Sequence, residues 1–288
     1  MANLKEIRNR IASVSSTMQI TSAMKMVSAA KLKKAQDAIT AMRPYANKLT
    51  ELLQNLSETL EGDGGNAYAE QREIKKVLIV AISSNRGLAG AFNSNIVKEC
   101  RSLMSDQYGN NEVAFFTIGK KANDLLKKQE TVIEHNTEIF DDLNFENTAE
   151  IAQKLMDHYS KGNYDKIILT YNKFKNAATQ IVTTEQFLPI MPPSSSEDRS
   201  GTADYIFEPS KANIVEELIP KSLKTQLFKA IRDSVASEHG ARMTAMHKAT
   251  DNANELKEGL TLEYNKARQA AITGEILEIV GGAEALSG

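Results

Sequence analysis

The sequence predicts an α/β protein: a long antiparallel two-helix coiled coil formed by the N- and C-terminal segments, plus a central α/β domain with a mainly parallel sheet. Three observations carry this. Helix breakers are missing from both ends, since no Gly precedes Gly62, the only Pro before residue 189 is Pro44, and none follows Pro220. An apolar stripe with heptad spacing runs along the N-terminal segment. Between the two ends, continuous apolar runs alternate with helical stretches.

Steps of three and four from Leu4 give Leu4, Ile7, Ile11, Val14, Met18, Thr21, Lys25, Ser28, Leu32, Ala35, Ile39, Met42, Ala46, Leu49, Leu53, Leu56 and Leu60. Fourteen of these seventeen are apolar, which defines a coiled-coil seam, and Pro44 is expected to kink the helix without ending it. The three exceptions, Thr21, Lys25 and Ser28, fall together. There the apolar residues spread sideways to Ile20, Ala23, Met24, Met26, Val27, Ala29 and Ala30. Either the seam stutters, or this band is touched on more than one side. The C-terminal segment from about Lys221 repeats the spacing at Met246, Ala249, Ala253, Leu256 and Leu260, and less strictly at Tyr264, Ala267 and Ala271. Gly240, Gly259 and Gly274 weaken that helix by roughly 1 kcal/mol each relative to Ala, so it needs a partner helix.

Length argues for pairing. A compact ball of this many residues is about 50 Å across. Helices over 4–60 and 221–285 are about 85 Å and about 98 Å long at ~1.5 Å per residue, so the economical arrangement is an antiparallel projecting pair.

In the middle, Val77–Ile82 is apolar throughout, as a strand buried on both faces requires. Val113–Ile118 and Lys166–Tyr171 look alike, and Gln180–Thr184 is a further candidate strand. Helices are expected over Asn93–Ser105, Lys120–Gln129 and Thr148–Tyr159, the last opened by Thr148 or Asn147 with Glu150 as a capping box. Pro189–Gly201 reads as a loop or linker, and Tyr205–Glu208 as a short closing strand or turn. The expected domains are residues 1–61, 74–208 and 211–288.

Composition narrows the function. With 35 basic and 37 acidic residues among 288, the net charge of −2 excludes a wholesale polyanion binder. Residues 1–36 nevertheless carry seven positive groups and one negative. The single Cys100 cannot form an internal disulfide, which points to a reducing compartment. No signal-peptide core and no run of about 18 apolar residues occurs, so a soluble chain that is neither exported nor membrane-spanning is expected.

Catalytic signals are weak. Ser83–Asn93 follows a strand and carries Gly87 and Gly90, but the G-x-x-G spacing is not that of a dinucleotide loop. Gly119-Lys120-Lys121 lacks the rest of a P-loop. His135, His158, His239 and His247 have no metal-ligand spacing, and no nucleophile elbow is present. The basic arm lacks the interleaved aromatics of a nucleic-acid binder. From residues alone the candidates are a shaft-like structural subunit, a nucleotide-dependent enzyme on the central domain, and a coiled-coil tether or nucleic-acid binder.

Three blocks go further: Ile20–Leu32 (ITSAMKMVSAAKL), Ser237–Met246 continuing to Ala249–Ala253, and Tyr264–Ala283 (YNKARQAAITGEILEIVGGA). They closely resemble the gamma-subunit family of F-type ATP synthases. Ser83–Asn93 is similar to that family's S-S-D-R-G-L-C-G-G-F-N stretch, departing at Asn85, Ala89 and Ala91. The resemblance implies a central rotor shaft that catalyses nothing itself and binds no cofactor or metal. It implies a Rossmann-like head, and as partners the alpha and beta subunits of the catalytic ring, the epsilon subunit and the membrane c-ring. Neither nucleic-acid binding nor insertion into the membrane is implied, and the place is the cytoplasmic face of the bacterial plasma membrane. By resemblance, Met24, Lys25, Arg242, Arg268, Gln269, Thr273 and Glu275 contact the alpha/beta ring. Tyr205, Phe207 and Glu208 match a segment facing the membrane rotor ring, with Phe207 where Tyr is usual. Gly274 and the Gly281-Gly282 pair depart from the family and loosen the end of the shaft. The cysteine-bearing insertion of chloroplast relatives is absent, and so is its redox regulation.

Overall fold

A computed structural model of the chain describes residues 4–57, 68, 70–190 and 211–287. They fall into two compact units, one of the residues up to Ser28 with those from Met243 on, the other Ala29–Arg242.

The second unit is built on a five-stranded sheet. Its strands are β1 (Lys76–Ile82), β2 (Glu112–Ile118), β3 (Val132–Asn136), β4 (Lys166–Phe174) and β5 (Gln180–Leu188), in the order β3-β2-β1-β4-β5. All neighbours are parallel except β4 and β5. The helices are α2 (Phe92–Ser102), α3 (Lys120–Leu126) and α4 (Phe145–Ser160), with parts of the terminal helices α1 (Leu4–Ser57) and α5 (Lys211–Ser287). β1 shows why its run does not alternate. Leu78, Val80 and Ile82 join a core with Leu155, Met156 and Tyr159 of α4 and Leu223, Leu227 and Ile231 of α5. Val77, Ile79 and Ala81 join another with Ile96, Val97 and Cys100 of α2 and Leu126 of α3. Phe115 and Phe116, both fully buried, serve opposite faces, each contributing about 1.5–3 kcal/mol by burial.

Local departures from expectation have physical causes. β3 was not expected: it is an edge strand with Glu134, His135 and Asn136 in it, none of its residues is fully buried, and no apolar run marks it. α4 starts at Phe145, three residues ahead of Thr148, because Asn144 is the cap and its Oδ1 accepts from the Asn147 amide at 2.7 Å. Thr148 is buried in the first turn instead, donating to the Asn144 carbonyl. α2 passes at Leu103 into a π-turn ending at Gln107, and α3 stops at Leu126. β5 continues to Leu188 as the antiparallel edge. α5 begins ten residues before Lys221 and runs through Pro220, with buried Ile219 and Leu223 pinning the helix on either side of it. Beyond Ile190, the Pro189–Gly201 stretch and Tyr205–Glu208 lie outside the described residues.

α1 runs unbroken through Pro44, with Ala46 and Leu49 still buried beyond it. Within the second unit its seam continues through Leu32, Ala35 and Ile39, and the Arg43 guanidinium lies 3.6 Å from Asp233 of α5.

In the first unit the two helices meet at two cross-links. Arg8 donates to the Tyr264 hydroxyl at 2.8 Å with its guanidinium over that ring, and the Thr250 and Thr21 hydroxyls bond at 2.8 Å. Moving up α1 from Arg8 to Thr21 moves down α5 from Tyr264 to Thr250, so the pair is antiparallel. The supposed exceptions in the seam are part of it. Thr21 and Ser28 are buried, their hydroxyls donating to the carbonyls of Met18 and Met24, which removes the cost of burying them. On α5 the stripe corrects by one residue: Leu256 is 55% exposed, and burial follows Met246, Thr250, Ala253, Lys257, Leu260, Tyr264, Ala267, Ala271 and Gly274. Strict alternation of four and three selects Lys257, leaving Leu256 about 100° round the helix.

Candidate partner-binding surfaces

The C-terminal end of β1 is where an open parallel sheet of this order offers a crevice, between neighbours leading off in opposite directions. Here the crevice is filled by the chain's own bonds. The Ser84 amide donates to Asn93 Oδ1, the Lys120 amide to Asn85 Oδ1, the Lys121 amide to the Ser84 carbonyl and the Ala122 amide to Ser83 Oγ. These four amides at the mouth of the crevice are thus engaged by side chains and carbonyls rather than open to a phosphate. Gly119 closes the packing: its φ is +101°, and a Cβ there would lie 2.4 Å from the Ser83 carbonyl oxygen. The loop's outer turn carries exposed Arg86 and Leu88, the latter held at φ 62°. Among the described residues no cluster of three or more His, Cys, Asp or Glu could hold a metal ion. Cys100 is fully buried and its thiol is pushed up to about 12 by loss of water, which removes it as a nucleophile at neutral pH.

The next feature is a polar node on α5. Arg242, expected to face the ring, is 8% exposed and bonded within the chain. It pairs with Glu238 at 2.7 Å and donates to the carbonyls of Gly87 and Arg86. Burial raises the Glu238 pKa, opposed by Arg242 and then by Lys31 and Arg86. Burial likewise raises that of Asp233, opposed by Arg43, Lys229 and Lys173. His239 is pushed down to about 4 by burial and then by Arg242 and Lys31, so it is neutral at pH 7. The sign of its effect on stability follows. The unfolded chain binds a proton below pH 6.5 that the folded chain refuses until about 4, so this residue's contribution is lost as pH falls through that window. His239→Leu is therefore expected to flatten the decline in melting temperature between pH 6.5 and 4, which a thermal melt series checks.

The remaining expected residues of the described chain sit on the paired helices of the first unit. Met24 and Lys25 are half-buried, while Arg268, Gln269, Thr273 and Glu275 are exposed. Arg268 and Glu275 share one face of α5 with Ile272 and Ile279, and Gln269 and Thr273 the adjoining face with Ile276 and Val280; the stripe toward α1 is a third direction. The apolar members are wet: Ile276, Leu277, Ile279 and Val280 are 54–71% exposed. On α1, Ile20, Met26 and Val27 are 56–63% exposed beside the half-buried Met24 and Lys25. That sideways band was legible in the sequence. The bare apolar end of α5 was not singled out, although the run Ile276-Leu277-Glu278-Ile279-Val280 has too few polar residues for a helix with one wet side. Tyr205, Phe207 and Glu208 lie outside the described residues.

A sheet whose crevice is closed by its own bonds, joined to helices that leave apolar side chains in water, defines a coupling or scaffold subunit that other chains grip. Comparison with known proteins makes this specific. The sequence profile of the ATP synthase family matches residues 3–286. The chain is 72% identical over its full length, and that of the relative, to the ATP synthase gamma chain of Flavobacterium johnsoniae. It is 47% identical to that of a Geobacter species, again over the whole of both chains. Among solved structures it resembles a chain of the central stalk and c-ring of the Tetrahymena thermophila mitochondrial ATP synthase, with TM-score 0.62 and 27% identity over 80% of this chain and 99% of that one. A chain of the Euglena gracilis mitochondrial enzyme shares the fold, with TM-score 0.72 and 24% identity over 98% of this chain and 94% of that one. The chain belongs to the ATP synthase gamma-chain family. It is a non-catalytic subunit of the central stalk, and the catalytic sites of the complex are on beta subunits.

Proposed function

We propose that this chain is the rotor that couples ion-driven turning of a membrane c-ring to the conformational cycle of catalytic beta subunits. The observation that carries the reading is the exposed apolar surface on the first unit, from Ile20, Met26 and Val27 to the end of α5 at Ile276–Val280. Apolar side chains in water along paired helices favour a surrounding partner, and a collar of alpha and beta subunits supplies one. Lys25, Arg268 and Glu275, with Met24, Gln269 and Thr273, give that contact an orientation: charges beside the apolar faces make some angular positions more favourable than others. Arg242 acts from inside the chain, on the Arg86–Gly87 turn. Tyr205, Phe207 and Glu208 contact the membrane rotor ring, beside the epsilon subunit. The functional domains are 1–61, 74–208 and 211–288. Among the described residues no helix is long and apolar enough to cross a membrane, which suits a peripheral subunit at the cytoplasmic face of the bacterial inner membrane.

Mixing the chain with alpha and beta subunits is expected to yield a stoichiometric ATPase, whereas the chain alone hydrolyses nothing. Within the complete membrane complex, c-ring included, Arg268→Glu is expected to lower ATP-driven ion pumping several-fold at unchanged hydrolysis. Its melting temperature in the isolated chain is expected to move little, because an exposed charge contributes about 0–1 kcal/mol. Equal losses of stability and pumping contradict the assignment of Arg268.

A further inference from the structure

We infer that α5 between Ser237 and Arg242 is the joint through which the sheet domain grips this helix against twisting, with Ser237, Gly240 and Arg242 as its positioning residues. This rests on the rotor reading above.

Over its preceding turns α5 is held mainly by apolar packing, through Ile219, Leu223, Leu227 and Ile231, with long side chains adding isolated bonds, Gln226 to the Gln186 carbonyl and Arg232 to the Leu143 carbonyl. Apolar contacts have little directional preference, and a bond at the end of a long side chain bends with it, so these turns resist rotation about the helix axis weakly. The grip tightens at Ser237. Its hydroxyl, fully buried, donates to the Asn172 carbonyl of β4 at 2.8 Å, and the Asn172 side chain donates in turn to the Phe92 carbonyl at the start of α2. Three residues on, Gly240 lets the β4–β5 turn approach so closely that a Cβ would sit 3.1 Å from the Ala177 carbonyl oxygen. Two residues further, Arg242 reaches the Gly87 and Arg86 carbonyls of the β1–α2 loop, with Glu238 orienting the guanidinium.

Three separate parts of the sheet domain therefore touch α5 within six residues. At about 100° per residue, positions 237, 240 and 242 spread over roughly 200° of the circumference. Two sets of directional bonds and one close backbone approach arranged so widely resist rotation either way, because turning the helix lengthens some contacts and compresses others. The buried Arg242–Glu238 pair fits this use, since such a pair adds little net stability but strands a charge out of water when it is pulled apart. The two carbonyls Arg242 holds belong to the turn presenting Arg86 and Leu88, so the same contact fixes that turn against the helix.

The test uses the complex of the full chain with alpha and beta subunits, carrying a bead on a cysteine placed at exposed Lys128. The angular variance of the bead during ATP-waiting pauses reports torsional compliance. The double variant S237A/R242K keeps the charge facing Glu238 but removes the Ser237 bond and the forked donor. It is expected to about double the variance, since both directional contacts weaken and only the packing at Gly240 is left intact. S237A alone, which leaves the β1–α2 loop untouched, is expected to give a smaller rise and stands in if the double variant does not assemble. A rotating variant with wild-type variance overturns the joint and leaves the rotor reading intact. A wild-type complex that hydrolyses ATP without rotation overturns the rotor reading itself.

Discussion

Gly119→Ala is expected to destabilise the sheet domain by about 3 kcal/mol or more, the largest effect of a methyl added at any of the described glycines. Two independent penalties combine. With φ at +101°, Gly119 occupies backbone space that an L-residue enters at a cost of about 1–3 kcal/mol. The new methyl also has no room: the Ser83 carbonyl oxygen, carbon and hydroxyl lie 2.4, 2.7 and 2.8 Å from it, and all belong to a strand end in the core. Ser83 cannot retreat, because its amide donates to the Ile118 carbonyl and its hydroxyl accepts from Ala122. At about 2–4 °C per kcal/mol for a unit of this size, the melting temperature falls by about 10 °C. Gly87→Ala is the control: its added methyl meets only the flexible end of Lys121, at 3.8 Å, and is expected to change stability by about 0.5 kcal/mol or less. Comparable losses from both variants contradict the packing described for the β1–α2 crevice.

Arg242→Met is expected to cost about 3 kcal/mol, and adding Glu238→Gln to recover most of it. The side chains of the pair are 9% and 12% exposed. Removing the guanidinium leaves a carboxylate largely out of water, facing only the more distant Lys31 and Arg86, and strips the Gly87 and Arg86 carbonyls of their donor. Neutralising Glu238 as well removes the stranded charge, so the remaining cost is that of the unmade bonds to two carbonyls, about 1 kcal/mol. Chemical denaturation of the two single variants and the double supplies the cycle. An additive result, with the double worse than either single variant, shows that the pair is not coupled.

The parts legible in the sequence are those where burial is two-sided or periodic. β1, β2 and β4 lie inside the sheet with both faces covered, so Val77–Ile82 is apolar throughout and Val113–Ile118 and Lys166–Tyr171 are largely so, with Thr117 and Thr170 buried among them. The α1 seam was legible for the same reason. β3 was hidden because an edge strand keeps polar residues, and the Asn144 cap because Thr148 and Glu150 offered a plausible start one turn later. Leu256 and Lys257 show the limit of hydropathy. Leucine looks like the seam residue, yet geometry selects the lysine, whose aliphatic stem can line a seam while its ammonium reaches water. Arg242 stood out through the block around it, but as an expected contact to the ring. That its charge is satisfied inside the chain depends on Glu238 one turn away and on a loop some 155 positions distant, which no local pattern reveals. The exposed positions proposed to face the ring came from resemblance to the gamma-subunit family, because a solvated Gln or Thr on a helix carries no signal of its own partner.

The measurement that bears most directly on the rotor account is observation of single complexes, with the beta subunits fixed to a surface and a visible probe on this chain, as ATP is supplied. The account predicts sustained turning in one direction that stops when ATP is withdrawn. Steady ATP hydrolysis by complexes in which the chain is present yet stays angularly fixed contradicts it.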